Sequence, residues 1–206
     1  LVQVPDGSAW GFPAAADFAL AEDWLGRAIP TGNSGLPALV RRYLAAFGPA
    51  SVADAQNWSG IGGLRPTFEA LRGELATFRD ERGRELFDLP DAPRPDEETP
   101  VPVRFLPEYD NLVLGHDDRS RIVADEHRPR LVTKNLQIPA TFLVDGFVAG
   151  TFRVERRKKT ATMTLAPFGK LLKRDLRALE TEGDLLLQFA EADATIREVV
   201  VASTAS

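Results

Sequence analysis

Three short runs of helical periodicity, followed by two alternating strands, lie within residues 36–89 and constrain the fold more than any other feature. Apolar side chains recur every three or four residues from Leu36 to Phe47, which predicts a helix with one buried face. Ser51 offers its hydroxyl as an N-cap, so a second helix is expected over 52–58. A third apolar stripe indicates a helix over 64–75. This segment therefore favours a small bundle of three helices.

Two alternating segments follow the third helix, at residues 76–80 and 85–89. Gly83 lies in the tight turn between them, so they are expected to pair as a hairpin. Three helices and then a hairpin is the order typical of a winged helix, a variant of the helix-turn-helix. The turn lengths and the position of the hairpin favour that interpretation over a generic helical subdomain. We therefore predict a winged-helix domain over residues 21–89.

The remainder of the chain predicts a second, β-rich domain. Residues 90–102 (PDAPRPDEETPVP) are rich in proline and acidic side chains, which is typical of an extended linker. Beyond the linker, strands are expected on both sides of the Asp145-Gly146 turn and over 196–201, and apolar spacing predicts a helix over 171–190. The predicted fold class is therefore α+β: a winged helix followed, over residues 103–206, by a small antiparallel β-barrel-like domain with one packed helix.

The composition excludes several classes of site. The chain contains no cysteine and only two histidines, His116 and His127, so a disulfide, a thiolate metal site or a histidine-rich metal centre is not expected. No apolar run in the sequence is long enough to cross a bilayer. We therefore predict a protein without a metal, a cofactor or a membrane span, located in the cytoplasm.

Positive charge is concentrated in one part of the chain, although the net charge is −5. Residues 101–174 carry 14 basic and 8 acidic side chains, whereas the segments before and after are net negative. The densest run extends from Arg153 to Lys159, where five basic residues and one acid surround a predicted exposed turn. Such a run neutralises backbone phosphates and releases their counterions. We favour duplex DNA as its partner over the alternative, a solvated tip that keeps a sheet edge from aggregating.

Basic residues outside that run have mixed surroundings. The third helix of a helix-turn-helix normally enters the major groove, but here its outward face combines basic and acidic side chains. A structural winged helix that packs against its neighbours is at least as consistent with this mixture. The predicted DNA-binding set is Arg65, Thr67 and Arg72 on the third helix, Arg82 and Arg84 on the wing, Arg130 and Lys134 in the second domain, and Arg153, Arg156, Arg157, Lys158 and Lys159 on the basic turn.

A dense polar run between Asp110 and Arg119 also includes Asn111, His116 and Asp118. A histidine between carboxylates and an arginine is a combination suited to acid–base chemistry. The run contains no nucleophile or metal partner, however, and such segments more often satisfy loop backbone and fix turns. We therefore predict a structural role for these side chains.

Three segments of the chain resemble a known bacterial family. They are RRYLAAFGPASVADAQNWSGI (41–61), RFLPEYDNLVLGHDDRSRIV (104–123) and ATFLVDGFVAGTFRVERR (140–157). They are similar to the winged-helix DNA-binding family that includes the AlkZ and YcaQ DNA glycosylases, and the resemblance extends over nearly the whole chain. It implies three winged helices followed by a β-barrel, which together cradle duplex DNA. By this resemblance residues 1–20 end the second winged helix, 21–89 form the third, and 103–206 form the barrel.

The resemblance also implies where catalysis would reside. Glycosylases of this family remove alkylated bases, including crosslinked ones, with a Gln-x-Gln or Gln-x-Asp pair in their first winged helix. Glutamines occur here at positions 3, 56, 137 and 188, none in such a pair, so no catalytic residue is assigned. We expect the catalytic segment in an N-terminal region of the same protein, missing from this chain. The alternative is a non-enzymatic winged-helix regulator or interaction scaffold, and the upstream sequence would distinguish the two.

Overall fold

The computed structural model describes residues 1–5, 17–29, 32–131 and 137–202. The chain begins with a short antiparallel strand pair and a short helix. These elements are β1 (Val2–Gln3), β2 (Phe18–Ala19) and α1 (Ala21–Leu25). The prediction that residues 1–20 end a preceding module depends partly on residues 6–16, which lie outside the described residues. Over the part of the chain that the structure describes, no helix is both long and apolar enough to span a membrane.

Residues 36–89 form a unit of three helices followed by a hairpin, in the predicted order. The elements are α2 (Leu36–Phe47), α3 (Val52–Ser59), α4 (Arg65–Leu71), a 3-10 turn (Arg72–Glu74), β3 (Ala76–Arg79) and β4 (Glu85–Asp88). The third helix ends before the expected residue 75. Gly73 gives a physical reason, because a glycine in a helix interior costs about 1 kcal/mol relative to alanine. The chain tightens there into the 3-10 turn that leads into the hairpin.

One apolar core holds the three helices and the hairpin together. The buried side chains of this core come from all three helices and from β4, and they include Tyr43, Ala55, Phe68, Leu71 and Phe87. The rings of Phe68 and Phe87 have centroids 5.1 Å apart, so they link α4 directly to the hairpin. The hairpin is therefore fixed in position by the same core as the helices.

Residues 104–201 form a five-stranded sheet with one long helix. The elements are β5 (Arg104–Leu106), α5 (Asn111–Leu114), a 3-10 turn (Asp125–His127), α6 (Arg128–Leu131), β6 (Thr141–Val144), β7 (Phe147–Arg157), β8 (Thr160–Pro167), α7 (Lys173–Ala190) and β9 (Ile196–Val201). The strand order is β5-β6-β7-β8-β9. The first three neighbouring pairs are antiparallel, whereas β8 and β9 are parallel.

The expectation of an antiparallel β-barrel is corrected in two respects. Strand β9 runs parallel to β8 because α7 carries the chain back along the sheet before the next strand begins, as parallel neighbours require. The sheet is also open, since β5 and β9 are its outermost strands and each pairs with one neighbour within the described ranges. The observed architecture is therefore a mixed, open sheet with a packed helix, and the α+β class is retained.

The two faces of this sheet are covered to different extents. Helix α7 packs over one face, where Leu179 and Leu187 are buried against side chains of β6 and β8. The opposite face is covered near β5, β6 and the start of β7, where Val113 and Val123 pack with Leu143. Further along β7 the same face carries exposed polar side chains. The distal part of this second face is therefore open to solvent.

The part of the polar run that follows α5 joins the helical unit (residues 36–89) to the second unit (residues 104–201). The Tyr43 hydroxyl of α2 donates a 2.7 Å hydrogen bond to the backbone oxygen of Gly115. Nε2 of His116 lies 2.9 Å from the backbone oxygen of Phe47. Burial lowers the pKa of His116 and raises that of Tyr43, so both side chains are held neutral at pH 7. The junction thus begins with two buried, uncharged hydrogen-bonding groups.

The Asp54 carboxylate completes the junction. It closes the capping box of α3 with Ser51 and also accepts hydrogen bonds from the backbone amides of Asp117 (2.9 Å) and Asp118 (3.3 Å). Burial would raise the pKa of Asp54, but the hydrogen bonds from Ser51 and Asp118 outweigh it and lower the pKa. His116 and Asp118 both form hydrogen bonds here, as the structural role predicted for the polar run requires, and the contact with the helical unit was not predicted.

Candidate nucleic-acid interface

The basic turn, which comprises Arg157, Lys158 and Lys159, connects β7 to β8. Arg157 and Thr160 are directly paired, which leaves Lys158 and Lys159 as a two-residue connection. Lys158 adopts a left-handed backbone with φ of 53°, as tight hairpin turns require. The backbone oxygen of Lys159 accepts hydrogen bonds from the amides of Thr195 (2.9 Å) and Ile196 (3.1 Å). The turn is therefore tied to the start of β9 and presents its two lysines from a fixed backbone.

Arg153 and Arg157 extend from β7 onto the open part of the sheet. Their side chains are 70% and 87% exposed, the latter among the most exposed cations of the ion pairs in this chain. Glu155 lies between them, with its carboxylate 3.4 Å from Nε of Arg153 and 3.8 Å from a terminal nitrogen of Arg157. Exposed pairs of this kind contribute at most about 1 kcal/mol, so both guanidinium groups remain available to an anion.

Arg156 is placed differently from its neighbours. It lies on the opposite side of β7, where a terminal nitrogen is 3.0 Å from Oε2 of Glu191 at the end of α7. Its Nε donates a 2.6 Å hydrogen bond to the backbone oxygen of Lys158. Arg156 therefore supports the turn from behind, whereas Arg157, Lys158 and Lys159 are exposed at its tip.

The cations predicted on the third helix are likewise of two kinds. Arg72 donates to both carboxylate oxygens of Glu69 and of Glu85, at 2.7–3.0 Å, and lies over the ring of Phe87. These carboxylates raise the pKa of Arg72 and hold it against its own unit. Arg65 is 69% exposed, and its closest approach to the Glu69 carboxylate is 4.0 Å, the limit for an ion pair. Its guanidinium group therefore remains free to contact a ligand. Thr67 is half-buried.

Two arginines in the turn of the β3–β4 hairpin, Arg82 and Arg84, contact the second unit, residues 104–201. Arg82 (3.3 Å) and Arg84 both donate to the same carboxylate oxygen of Asp118, and Arg84 also pairs with Asp80 at 2.6 Å. The backbone amide of Ser120, together with Arg84, lowers the pKa of Asp118 to about 2. The arrangement therefore fixes the hairpin of the helical unit against the polar run, and Asp118 competes with any phosphate for these cations.

The remaining predicted cations contribute less to an exposed surface. Arg130 donates a 2.8 Å hydrogen bond to the backbone oxygen of Phe168 and lies over its ring. Lys134 lies outside the described residues. The ion-pair partners Asp118 and Glu191 were not predicted from the sequence, because each is more than thirty residues from its arginine and no local spacing reports such a contact.

Two of the glutamines, Gln56 and Gln188, form hydrogen bonds within the fold. Oε1 of Gln56 accepts a 2.9 Å hydrogen bond from the amide of Leu64 and thereby holds the turn between α3 and α4. Gln188 donates to Asp184 one turn earlier on α7, at 2.6 Å. Within the described ranges, no group of three or more His, Asp or Glu side chains is arranged to hold a metal ion.

Comparisons with known proteins agree on one family. The family described as DNA glycosylase AlkZ-like matches residues 1–189. An interstrand DNA cross-link repair glycosylase of Streptomyces sahachiroi is 27% identical over 162 residues, which are 75% of this chain and 42% of that protein. The solved structure of Streptomyces sahachiroi DNA glycosylase AlkZ has a TM-score of 0.67 at 24% identity, covering 85% of this chain and 47% of that one. The chain thus spans less than half the length of either relative. Since the family match includes most of its residues, the chain belongs to the AlkZ-like DNA glycosylase family.

Proposed function

We propose that this chain is the duplex-binding part of an AlkZ-like DNA glycosylase that acts on alkylated or crosslinked bases. The observation that carries the proposal is the basic turn, where Arg157, Lys158 and Lys159 are exposed on a hairpin whose backbone is tied to β9. Because the backbone of the turn is already fixed, three cations neutralise neighbouring phosphates without ordering the backbone, and the counterions they release supply affinity for any duplex sequence.

In this proposal residues 21–89 are a winged helix that positions the DNA rather than reading its sequence. Arg72 is bound to two glutamates of its own unit, which leaves Arg65 as the exposed cation of α4. A recognition helix usually offers several free side chains to base edges. The wing arginines are paired with Asp118, so the wing supports the junction between the two units. This unit then forms one wall beside the duplex.

The chemistry of base removal is assigned to another part of the same protein. The resemblance implies a carboxamide pair that positions water against the departing base, and no such pair occurs among residues 1–206. The name of the Streptomyces sahachiroi relative refers to cross-link repair, which supports damaged duplex DNA as the substrate class. Incubating the full-length protein with alkylated duplex DNA and measuring released base tests this step. Binding without base release would favour a non-enzymatic regulator or scaffold.

Duplex binding has a separate test. Glutamine substitutions at Arg157, Lys158 and Lys159 remove three charges from the turn and keep side chains of similar length. A matched control removes three exposed cations, Lys170 before α7 and Lys173 and Arg177 within the first five residues of α7. Fluorescence anisotropy with a labelled duplex, measured over a salt series, should show a salt slope lower by about two to three for the turn variant. Equal losses in the two triple variants would contradict a specific role for the turn.

A further inference from the structure

The open part of the sheet presents an ordered ladder of polar side chains beside the basic turn. The pairing of β7 with β8 places Arg153 opposite Thr164, Glu155 opposite Thr162, and Arg157 opposite Thr160. The three threonines are half-buried and alternate with Ala161, Met163 and Leu165, which are fully buried under α7. All six ladder residues therefore face away from the helix, on the open side of the sheet.

Glu155 occupies the centre of this ladder. Its carboxylate lies within ion-pair distance of both arginines, and its side chain is 46% exposed. Arg153 and Arg157 are four residues apart on one strand, a separation of about 13 Å, so they would meet different phosphates of a DNA backbone. The threonine hydroxyls on β8 are hydrogen-bond donors of the kind that contact phosphate oxygens. The one acid of the ladder is thus placed to neutralise both cations at once.

We propose that the ladder formed by Arg153, Glu155, Arg157, Thr160, Thr162 and Thr164 is a second contact surface for the DNA backbone, continuous with the basic turn, and that Glu155 limits its affinity. This inference rests on the proposed function of the turn. A phosphate must displace Glu155 from an arginine before that arginine contributes fully to binding. Glu155 therefore weakens the general attraction of this surface for DNA. The position of the protein on the duplex then depends more strongly on its contacts outside the ladder.

The test is Glu155→Gln, which removes the charge but keeps the size of the side chain. Glu198 on β9 is the matched control, since it is opposite Thr162 and so lies in the same row of the sheet, about 10 Å from Glu155. Its side chain is exposed, and none of the ion pairs among the described residues includes it. Glu155→Gln should raise affinity for a labelled duplex about two- to five-fold and make the salt slope steeper by up to about two. Glu198→Gln should change both quantities much less.

A second experiment, in a chain without the two arginines, distinguishes their release from Glu155 from a general effect of net charge. In a chain that already carries Arg153→Gln and Arg157→Gln, adding Glu155→Gln should leave affinity almost unchanged, because no guanidinium remains to be released. Equal gains from Glu155→Gln and Glu198→Gln, or a gain that persists in the double-arginine background, would overturn the proposal. No gain from Glu155→Gln would also overturn it while leaving the proposed function intact, provided that the turn variant still loses duplex affinity. If the turn variant also binds normally, the proposed function itself fails.

Discussion

The carboxylate of Asp54, in the first turn of α3, accepts a 2.9 Å hydrogen bond from the backbone amide of Asp117, 63 residues further along the chain. The same carboxylate is bonded to Ser51, so one buried side chain both caps a helix and holds the polar run of the second unit. Residues 90–102, which the sequence predicts to be a linker, therefore connect units that also contact each other directly. This contact fixes the position of the polar run relative to the helical unit.

Replacing Asp54 by asparagine should destabilise the protein by about 2 kcal/mol, because the amide cannot accept all the hydrogen bonds that the carboxylate receives. Asp117→Asn is the matched control, since the exposed side chain changes but the backbone amide that donates to Asp54 remains. Urea denaturation of both variants measures the difference. Similar stability in the two variants would contradict the role assigned to the Asp54 carboxylate.

Gly115 should not tolerate a larger side chain, although its backbone is helical and suits any residue. A Cβ at this position would lie 2.7 Å from the backbone oxygen of Asn111 and 2.9 Å from the ring of Phe47. Gly115→Ala is therefore expected to cost about 1–3 kcal/mol, as overpacked contacts usually do. Gly62→Ala is the control, because its Cβ would meet nothing within 4 Å. A thermal melt of Gly115→Ala that matches the unsubstituted chain would show that the junction yields easily.

Local sequence patterns were sufficient to predict the elements of the helical unit. The helix over 36–47 and the strand over 196–201 coincide with the expected bounds because side-chain periodicity and caps are properties of neighbouring residues. The direction of β9 was not predicted. It depends on where α7 returns the chain relative to β8, and that is set by packing between distant segments. The expectation of an antiparallel, barrel-like sheet was therefore wrong for the direction of its last strand.

The candidate site shows the same division between local and distant information. The run from Arg153 to Lys159 identifies a basic turn from residue type alone, and alternation along β7 assigns its residues to opposite faces. The sequence did not indicate that Arg156 is bound to Glu191 or that Arg84 is bound to Asp118. A basic residue in a sequence is only a candidate for DNA contact until its carboxylate partners are known. Those partners remove Arg72, Arg84 and Arg156 from the most exposed set.

The stability of the junction should fall as the pH drops below about 6.5, because of His116. Nε2 faces the backbone oxygen of Phe47 and so carries the proton, while Nδ1 is buried without a hydrogen-bond partner among the described residues. Burial lowers the pKa of His116 below its ordinary value of 6.5. Between the folded pKa and 6.5 the unfolded chain binds more protons, so acidification favours unfolding.

Measuring the free energy of unfolding between about pH 7 and pH 5 tests this linkage. The loss on acidification should be smaller in His116→Gln, which does not titrate and retains an amide donor. His127→Gln, measured alongside, controls for the loss of an imidazole elsewhere in the chain. The linkage would be rejected if His116→Gln lost as much stability over this range as the unsubstituted chain does.

Substitutions of Arg156 and Arg157 should have different effects, although the two residues are adjacent and chemically identical. Arg156 supports the turn, whereas we expect Arg157 to contact DNA. Arg156→Gln is expected to cost about 1 kcal/mol of stability, because it removes the bonds to Glu191 and to the backbone of Lys158. Arg157→Gln should change stability by less than about 0.5 kcal/mol, since its side chain is 87% exposed.

The order should reverse for duplex binding. Arg157→Gln should lower the slope of affinity against salt by up to about one, the contribution of a single phosphate contact, while Arg156→Gln should leave that slope unchanged. Chemical denaturation and salt-dependent anisotropy on the same two variants measure both quantities. A slope that falls equally in both variants would place Arg156 at the DNA as well, and would mean that Glu191 releases it when the duplex binds.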